Sequence, residues 1–260
     1  MSRRATHLWV MAVVGVSLLL GYTAGAVSQE VTYERLLNAD QEPTNWLMYY
    51  GNYQGRRYSP LPQINTANVK RLVVKWKFRT GLGSENLQVT PLVIDGIMYL
   101  TNQKNEVFAL QAETGTMLWR HTYFHIEFAP RAPLWGHATH RGVAVAWGKA
   151  FLATQDVHLA ALDAKSGEVL WKTRAGDYQE GHMFTSPPLI VKDKAILGIA
   201  TGERPTRGFI DAYDIETGKR VWRFYTVPGP GEPGHETWGG DSWRYGCGPA
   251  WLPGTYDAAL

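Results

Sequence analysis

The chain has 260 residues, 45% of them hydrophobic and 19% charged, with 27 glycines, 14 prolines and 11 tryptophans. That is globular composition with many turns and ample material for a core. A formal charge of +3 without a basic run excludes nucleic acid as the partner class, and a lone cysteine, Cys247, excludes an internal disulfide framework.

Residues 1–28 stand apart. The basic start "MSRR" leads into an apolar run from Leu8 to Tyr22 and then the small-residue stretch "TAGAVS". This three-part pattern predicts a secretory signal cut after Ala24-x-Ala26, with a retained N-terminal anchor as the alternative. The run is about fifteen residues, short of the roughly twenty that cross a bilayer. The mature domain is therefore expected at 29–260, in the periplasm. "TYERLLNAD" (32–40) reads as one short helix, and "VVKWKF" (73–78) as an isolated outer strand carrying Trp76.

One eleven-residue sentence then occurs three times: "ALQAETGTMLW" (109–119), "ALDAKSGEVLW" (161–171) and "AYDIETGKRVW" (212–222). Before each copy come two apolar runs joined by a tight turn, "DG", "WGK" or "KDK". Asp95-Gly96 is a hairpin signal, because a type I′ turn needs positive φ and glycine adopts it cheaply. Inside the sentence Thr114-Gly115, Ser166-Gly167 and Thr217-Gly218 mark a further hairpin. Asp163 and Asp214 can accept turn amides there, while Gln111 ties the first copy less well. Four short antiparallel strands at a period of about fifty residues are one propeller blade, so the fold class is an all-β propeller. Trp119, Trp171 and Trp222 end the blades in register and are expected to pack blade against blade.

From about Asn45 onward the chain resembles the exported quinoprotein dehydrogenases, which use pyrroloquinoline quinone (PQQ) on an eight-bladed propeller. The resemblance rests on "NWLMYYGNYQGRRYSPLPQINTANVKRLVVKW" (45–76), the three repeat sentences, "RGFIDAYDIETGKRVW" (207–222) and "GPGEPGHETWGGDSW" (229–243). It implies oxidation of an alcohol, polyol or sugar, with electrons passed to a cytochrome c or a membrane quinone. It also implies a Ca²⁺ ion on the quinone oxygens, a Lewis acid suited to carboxylate and carbonyl ligands.

Carried over position by position, the resemblance puts Arg141 in "HRGVAV" at a quinone carboxylate and Thr185 in "MFTSPPLIV" at a hydrogen bond to the quinone. Thr201 and Gly202, in "ATGE", become a loop against the cofactor. Glu203 becomes a calcium ligand, and Trp251 in "CGPAWLPG" the floor under the ring. Gln88 stands where the family usually has glutamate, which removes a negative charge and is expected to weaken metal binding. Trp135 and Gly136 stand where many alcohol-oxidising members have adjacent cysteines, and "GCGPAW" replaces a Gly-rich run ending in Thr-Trp.

No residue of the chain matches the family's catalytic base. Residues 29–260 hold about four and a half units of 51 residues, so the chain reads as an N-terminal fragment, inactive alone. The base and a further calcium ligand are expected after Leu260. A non-catalytic envelope scaffold built on the same repeat is the competing class. The joint presence of Arg141, Thr185, Glu203 and Trp251 outside the repeat register favours the enzyme.

Overall fold

The computed structural model describes residues 30–81, 87–123, 139–200 and 202–260. The segment expected to be an export signal, Thr201, Trp135 and Gly136 lie outside the described residues.

The described chain builds three four-stranded antiparallel sheets, each an unbroken meander. Blade one is β1 (Leu92–Ile94), β2 (Ile97–Thr101), β3 (Val107–Gln111) and β4 (Met117–His121). Blade two is β5 (Ala144–Ala146), β6 (Lys149–Ala153), β7 (His158–Asp163) and β8 (Val169–Arg174). Blade three is β9 (Leu189–Val191), β10 (Lys194–Gly198), β11 (Phe209–Asp214) and β12 (Arg220–Tyr225). The leading strands β1, β5 and β9 are short and largely buried, and the fourth strands β4, β8 and β12 are mostly exposed. β5 and β9 lie next to each other, so the leading strands face the inside of the ring.

The turn chemistry follows the sequence. Asp95 (φ 49°) and Gly96 (φ 81°) are both left-handed, as are Trp147 (φ 52°) and Gly148 (φ 69°), which is the type I′ geometry. Asp163 Oδ1 accepts the amides of Lys165 and Ser166, and Asp214 Oδ1 those of Glu216 and Thr217. The Gln111 side chain makes no such bond, and its turn relies on the Thr114 and Thr116 hydroxyls. In every blade the third and fourth strands shift register at one place, after Ala109, Ala161 and Ala212, the residues paired with Trp119, Trp171 and Trp222.

Those tryptophans join the blades through a repeated contact. Trp119 Nε1 donates to the Ala164 carbonyl in the next blade, and Trp171 Nε1 to that of Ile215, each at 3.1 Å. Beneath each indole lies the glycine of the next blade's repeat sentence. A Cβ on Gly167 would stand 2.6 Å from Trp119 Cε3, and one on Gly218 2.5 Å from Trp171 Cε3. Gly167 (φ 77°) and Gly218 (φ 67°) therefore serve two needs, the left-handed turn and a flat seat for the ring. Trp76 makes the same contact with blade one, donating to Ala112 O at 3.1 Å over Gly115. Its segment 73–78 forms no ladder among the described residues, and Val73 and Val74 are exposed, so the indole docks without a strand around it. Trp222 has no such seat among the described residues and is 43% exposed.

The segment before the blades is tied to their inner ends. Helix α1 (Tyr33–Leu37) is capped by Thr32, whose Oγ1 accepts from Arg35 N at 3.3 Å. Arg35 bridges Glu42 and Asp95 at 2.7 Å each, Trp46 pairs with Val93 of β1, and Tyr53 OH donates to Ile190 O of β9 at 2.6 Å. Blade three is tied back to blade two by Arg223, which is bidentate to fully buried Asp211 and also donates to Ala175 O.

Substituting Gly167→Ala should cost about 2–4 kcal/mol, because the new methyl meets both a positive φ and the Trp119 ring. Urea unfolding would measure it. Gly96→Ala, in open space at a similar φ, should cost clearly less.

Candidate functional site

Three residues singled out in the sequence occupy one structural place in three successive blades. Gln88 comes four residues before β1, Arg141 three before β5 and Thr185 four before β9. The segments are laced side by side: Thr90 N donates to Arg141 O at 3.1 Å and Arg141 N to Thr185 O at 3.0 Å. Gly142 permits this closeness, with φ 123° and room for a Cβ only 3.1 Å from Thr90 O.

The side chains meet there. Arg141 Nη2 donates to Gln88 Oε1 at 2.8 Å, and its Nη1 reaches toward Thr185 O at 3.5 Å. The guanidinium lies over the Trp251 ring, 4.7 Å from the centroid. Burial lowers the Arg141 pKa, and the opposing influences are the Tyr49 and Tyr50 side chains rather than a carboxylate. A half-buried cation with a neutral amide and an indole as partners is a place for an anion. Thr185 is buried, yet its Oγ1 has no hydrogen-bond partner, so it offers one to a ligand.

Trp251 comes from the far end of the chain and is held by its backbone. Ala250 N donates to Ile199 O at 3.0 Å, and the buried Ser186 hydroxyl donates to Trp251 O at 2.6 Å. The indole itself is 43% exposed, leaving its surface accessible to a planar ligand. Residues 143–145, 187–190 and 253–254 continue from the Arg141, Thr185 and Trp251 segments and, with Tyr49 and Tyr50, line an adjoining cleft that opens to solvent.

The loop after β10 reaches the same rim. A Cβ on Gly202 would stand 2.9 Å from Pro249 Cγ, which seats the loop against the Trp251 segment. Glu203 is exposed and makes no hydrogen bond or ion pair among the described residues; nearby Arg207 binds Glu232 at 2.6 Å. Nothing brings Glu203 into contact with Arg141 or Trp251. The donors thus fit an organic ligand with carboxylates and a flat ring. They do not by themselves fit a metal, since no three His, Cys, Asp or Glu residues gather to hold one among the described residues.

Sequence reasoning passed over two residues here. Ser186 carries no periodic signal, and its neighbour Thr185 drew the attention. His140, fully buried beside Arg141, links the blades. Its Nε2 faces Ala153 O at 2.9 Å, which fixes the proton there, and Nδ1 accepts from Gly142 N and the Thr101 hydroxyl. Burial pushes its pKa down to about 4, against a hydrogen bond from Nε2 to Ala153 O that works the other way.

Because the folded pKa of His140 is depressed, stability is complete above the unfolded value of 6.5 and is lost as pH falls toward 4. The loss should approach about 3 kcal/mol by pH 4, since each tenfold difference in proton affinity between the folded and unfolded chain is worth roughly 1.4 kcal/mol. Unfolding titrations at pH 7.5 and 4.5 on wild type and His140→Gln check it, with the variant showing the shallower pH dependence.

Comparisons with known proteins show the family. The PQQ family described as "Glucose/ethanol/alcohol dehydrogenase, beta-propeller domain" matches residues 46–260. The chain is 38% identical over 251 residues to a quinohemoprotein alcohol dehydrogenase, ADH-IIG, of Pseudomonas putida, covering 91% of this chain and 34% of that one. It is 37% identical over 260 residues to a lanthanide-dependent methanol dehydrogenase of Methylacidiphilum fumariolicum, covering 91% and 42%. The solved structure of a europium-containing methanol dehydrogenase superposes with a TM-score of 0.77 at 36% identity, over 87% of this chain and 42% of that one. The chain thus spans well under half the length of the relatives it matches. Within that span, the chain belongs to the PQQ-dependent glucose/ethanol/alcohol dehydrogenase propeller family.

Proposed function

We propose that this chain forms the PQQ-binding face of an exported dehydrogenase that oxidises an alcohol, with polyols and sugars as the wider substrate class. What supports the reading is one observation: Gln88, Arg141, Thr185 and Trp251 converge from three blades and a late loop onto a half-buried, carboxylate-free cation. A structural scaffold gains nothing from such a cation, because burying it unpaired costs stability.

In this reading Arg141 takes a carboxylate of the quinone, the Thr185 hydroxyl bonds its rim, and Trp251 stacks on its plane. Gly202 holds its loop against the Trp251 segment, the resemblance assigns Thr201 to the same role, and Ser186 positions Trp251 through the backbone. When bound, the quinone supplies a carbonyl carbon that accepts hydride. Glu203 would offer one carboxylate to a Ca²⁺ or lanthanide ion, and no group of three or more His, Cys, Asp or Glu residues gathers to hold one among the described residues. No described residue is assigned as the base that takes the hydroxyl proton. The electron acceptor is a cytochrome c or a membrane quinone.

Export rests on the arginine-flanked apolar run and small-residue site of residues 1–28. The secreted form should begin between Val27 and Glu30 by N-terminal sequencing, and an intact Met1 on a cytosolic protein would contradict export.

Titrating the complete gene product with PQQ and following tryptophan quenching tests the site. Arg141→Ala and Trp251→Ala should each weaken binding about a hundredfold, by loss of a charge-assisted bond and of a stacking face. Ser186→Ala should weaken it about three- to tenfold, the scale of one neutral hydrogen bond, and Ser186→Thr should restore it. Unchanged affinity in the first two variants, together with no dye-linked alcohol oxidation by the reconstituted protein, would leave the scaffold reading.

A further inference from the structure

Arg35 and Arg223 show what an inward guanidinium edge takes in this fold. Arg35 gives Nε and Nη2 to the two oxygens of Glu42, at 2.8 and 2.7 Å. Arg223 gives the same pair to Asp211, at 2.7 Å each. Those two N–H groups run parallel and match the spacing of one carboxylate. Arg204, in the loop between β10 and β11, has the same edge turned inward and empty: its Nε and Nη2 are buried and have no acceptor.

The residue is held in place. Gly181 (φ 90°), in the connection from β8 to β9, lies on the Arg204 stem, and a Cβ there would stand 2.9 Å from Arg204 Cδ. Its carbonyl accepts from Thr206 N at 2.8 Å and from Cys247 Sγ at 3.0 Å. Burial raises the Tyr178 pKa and the Arg204 charge opposes it, so the cation lies beside that phenol. The acids of the neighbourhood are committed elsewhere. Glu232 binds Arg207, Asp177 binds Arg174 at 3.0 Å, and Asp156 accepts from Tyr123 OH at 2.9 Å. Glu180 is exposed, and its carboxylate stands 3.8 Å from His182 Nδ1. A buried guanidinium without an acceptor costs stability, and two parallel donors define the shape of the acceptor they lack.

We propose that the Nε–Nη2 edge of Arg204 is a second anion site, which takes the carboxylate of a small organic acid between the β8–β9 connection and the β10–β11 loop. It is separate from the Arg141 site, whose partners are Gln88, Thr185 and Trp251, and does not rest on the quinone reading. Both nitrogens are covered, so the acid must displace part of that cover to enter, which favours one as small as formate or acetate.

The test uses the complete gene product with sodium acetate and sodium formate as probes, against sodium chloride at constant ionic strength, and Tm as the readout. Each acid should raise the wild-type Tm in a saturable way. Arg204→Gln, which removes the charge, should raise the acetate Kd drawn from that curve at least about tenfold. Arg204→Lys, which keeps the charge and loses the paired donors, should fall between the two. The response should survive Arg141→Ala, which separates the two cations. A wild-type response that is absent, unchanged by Arg204→Gln or lost with Arg141→Ala would overturn the inference. A response that appears only in Glu180→Gln would overturn it as well, because the protein's own carboxylate would then fill the edge.

Discussion

The structure depends on an indole laid flat on a glycine. Blades one and two each end in a tryptophan whose ring covers the left-handed glycine of the next blade and whose N–H finds a carbonyl there, and Trp76 seats on blade one in the same way. The contact combines apolar burial, one satisfied hydrogen bond and a steric demand that glycine alone meets at no strain. Because the same demand recurs in each unit, it sets a constant offset between neighbouring blades. Small errors in that offset would add up around a ring.

The site inherits its dimensions from that offset. Gln88, Arg141 and Thr185 are not neighbours in sequence, yet each precedes a leading strand by three or four residues. Blade spacing brings the three segments into hydrogen-bonding range, and the Thr90–Arg141 and Arg141–Thr185 backbone bonds then close the gap. A rigid periodic frame thus presents side chains of different chemistry from equivalent positions. His140 is the internal brace of this arrangement. Neutral and fully buried, it ties the strand-leading segment of blade two to Thr101 in blade one and to its own β6.

Much of this was legible in the sequence, and the reasons differ by element. The blades were readable because a repeat states its own period, and the paired turn signals mark where strands reverse. The docking tryptophans were readable as blade-to-blade contacts. The second duty of the glycines was not, since Gly167 and Trp119 are linked only through the fold. Segment 73–78 was expected as a strand, but strand formation needs a partner ladder, and none is present for it among the described residues. Trp76 keeps its dock because that contact needs only the next blade. At the site, Arg141 and Trp251 were found through resemblance, although the segments "LQVTPLV", "HRGVAV" and "MFTSPPLIV" could have been aligned on their strands. Ser186 and His140 were missed because a hydroxyl and an imidazole beside more eloquent neighbours carry no periodic signal. The exposure of Glu203 could not be read from a loop without regular structure.

The most direct measurement is an experimental structure of the complete gene product with PQQ bound. The tricyclic ring is expected against the Trp251 indole, with one carboxylate in contact with Arg141 and the Thr185 hydroxyl on the rim. A quinone bound elsewhere on the propeller, with Arg141 still resting on Trp251, would contradict it.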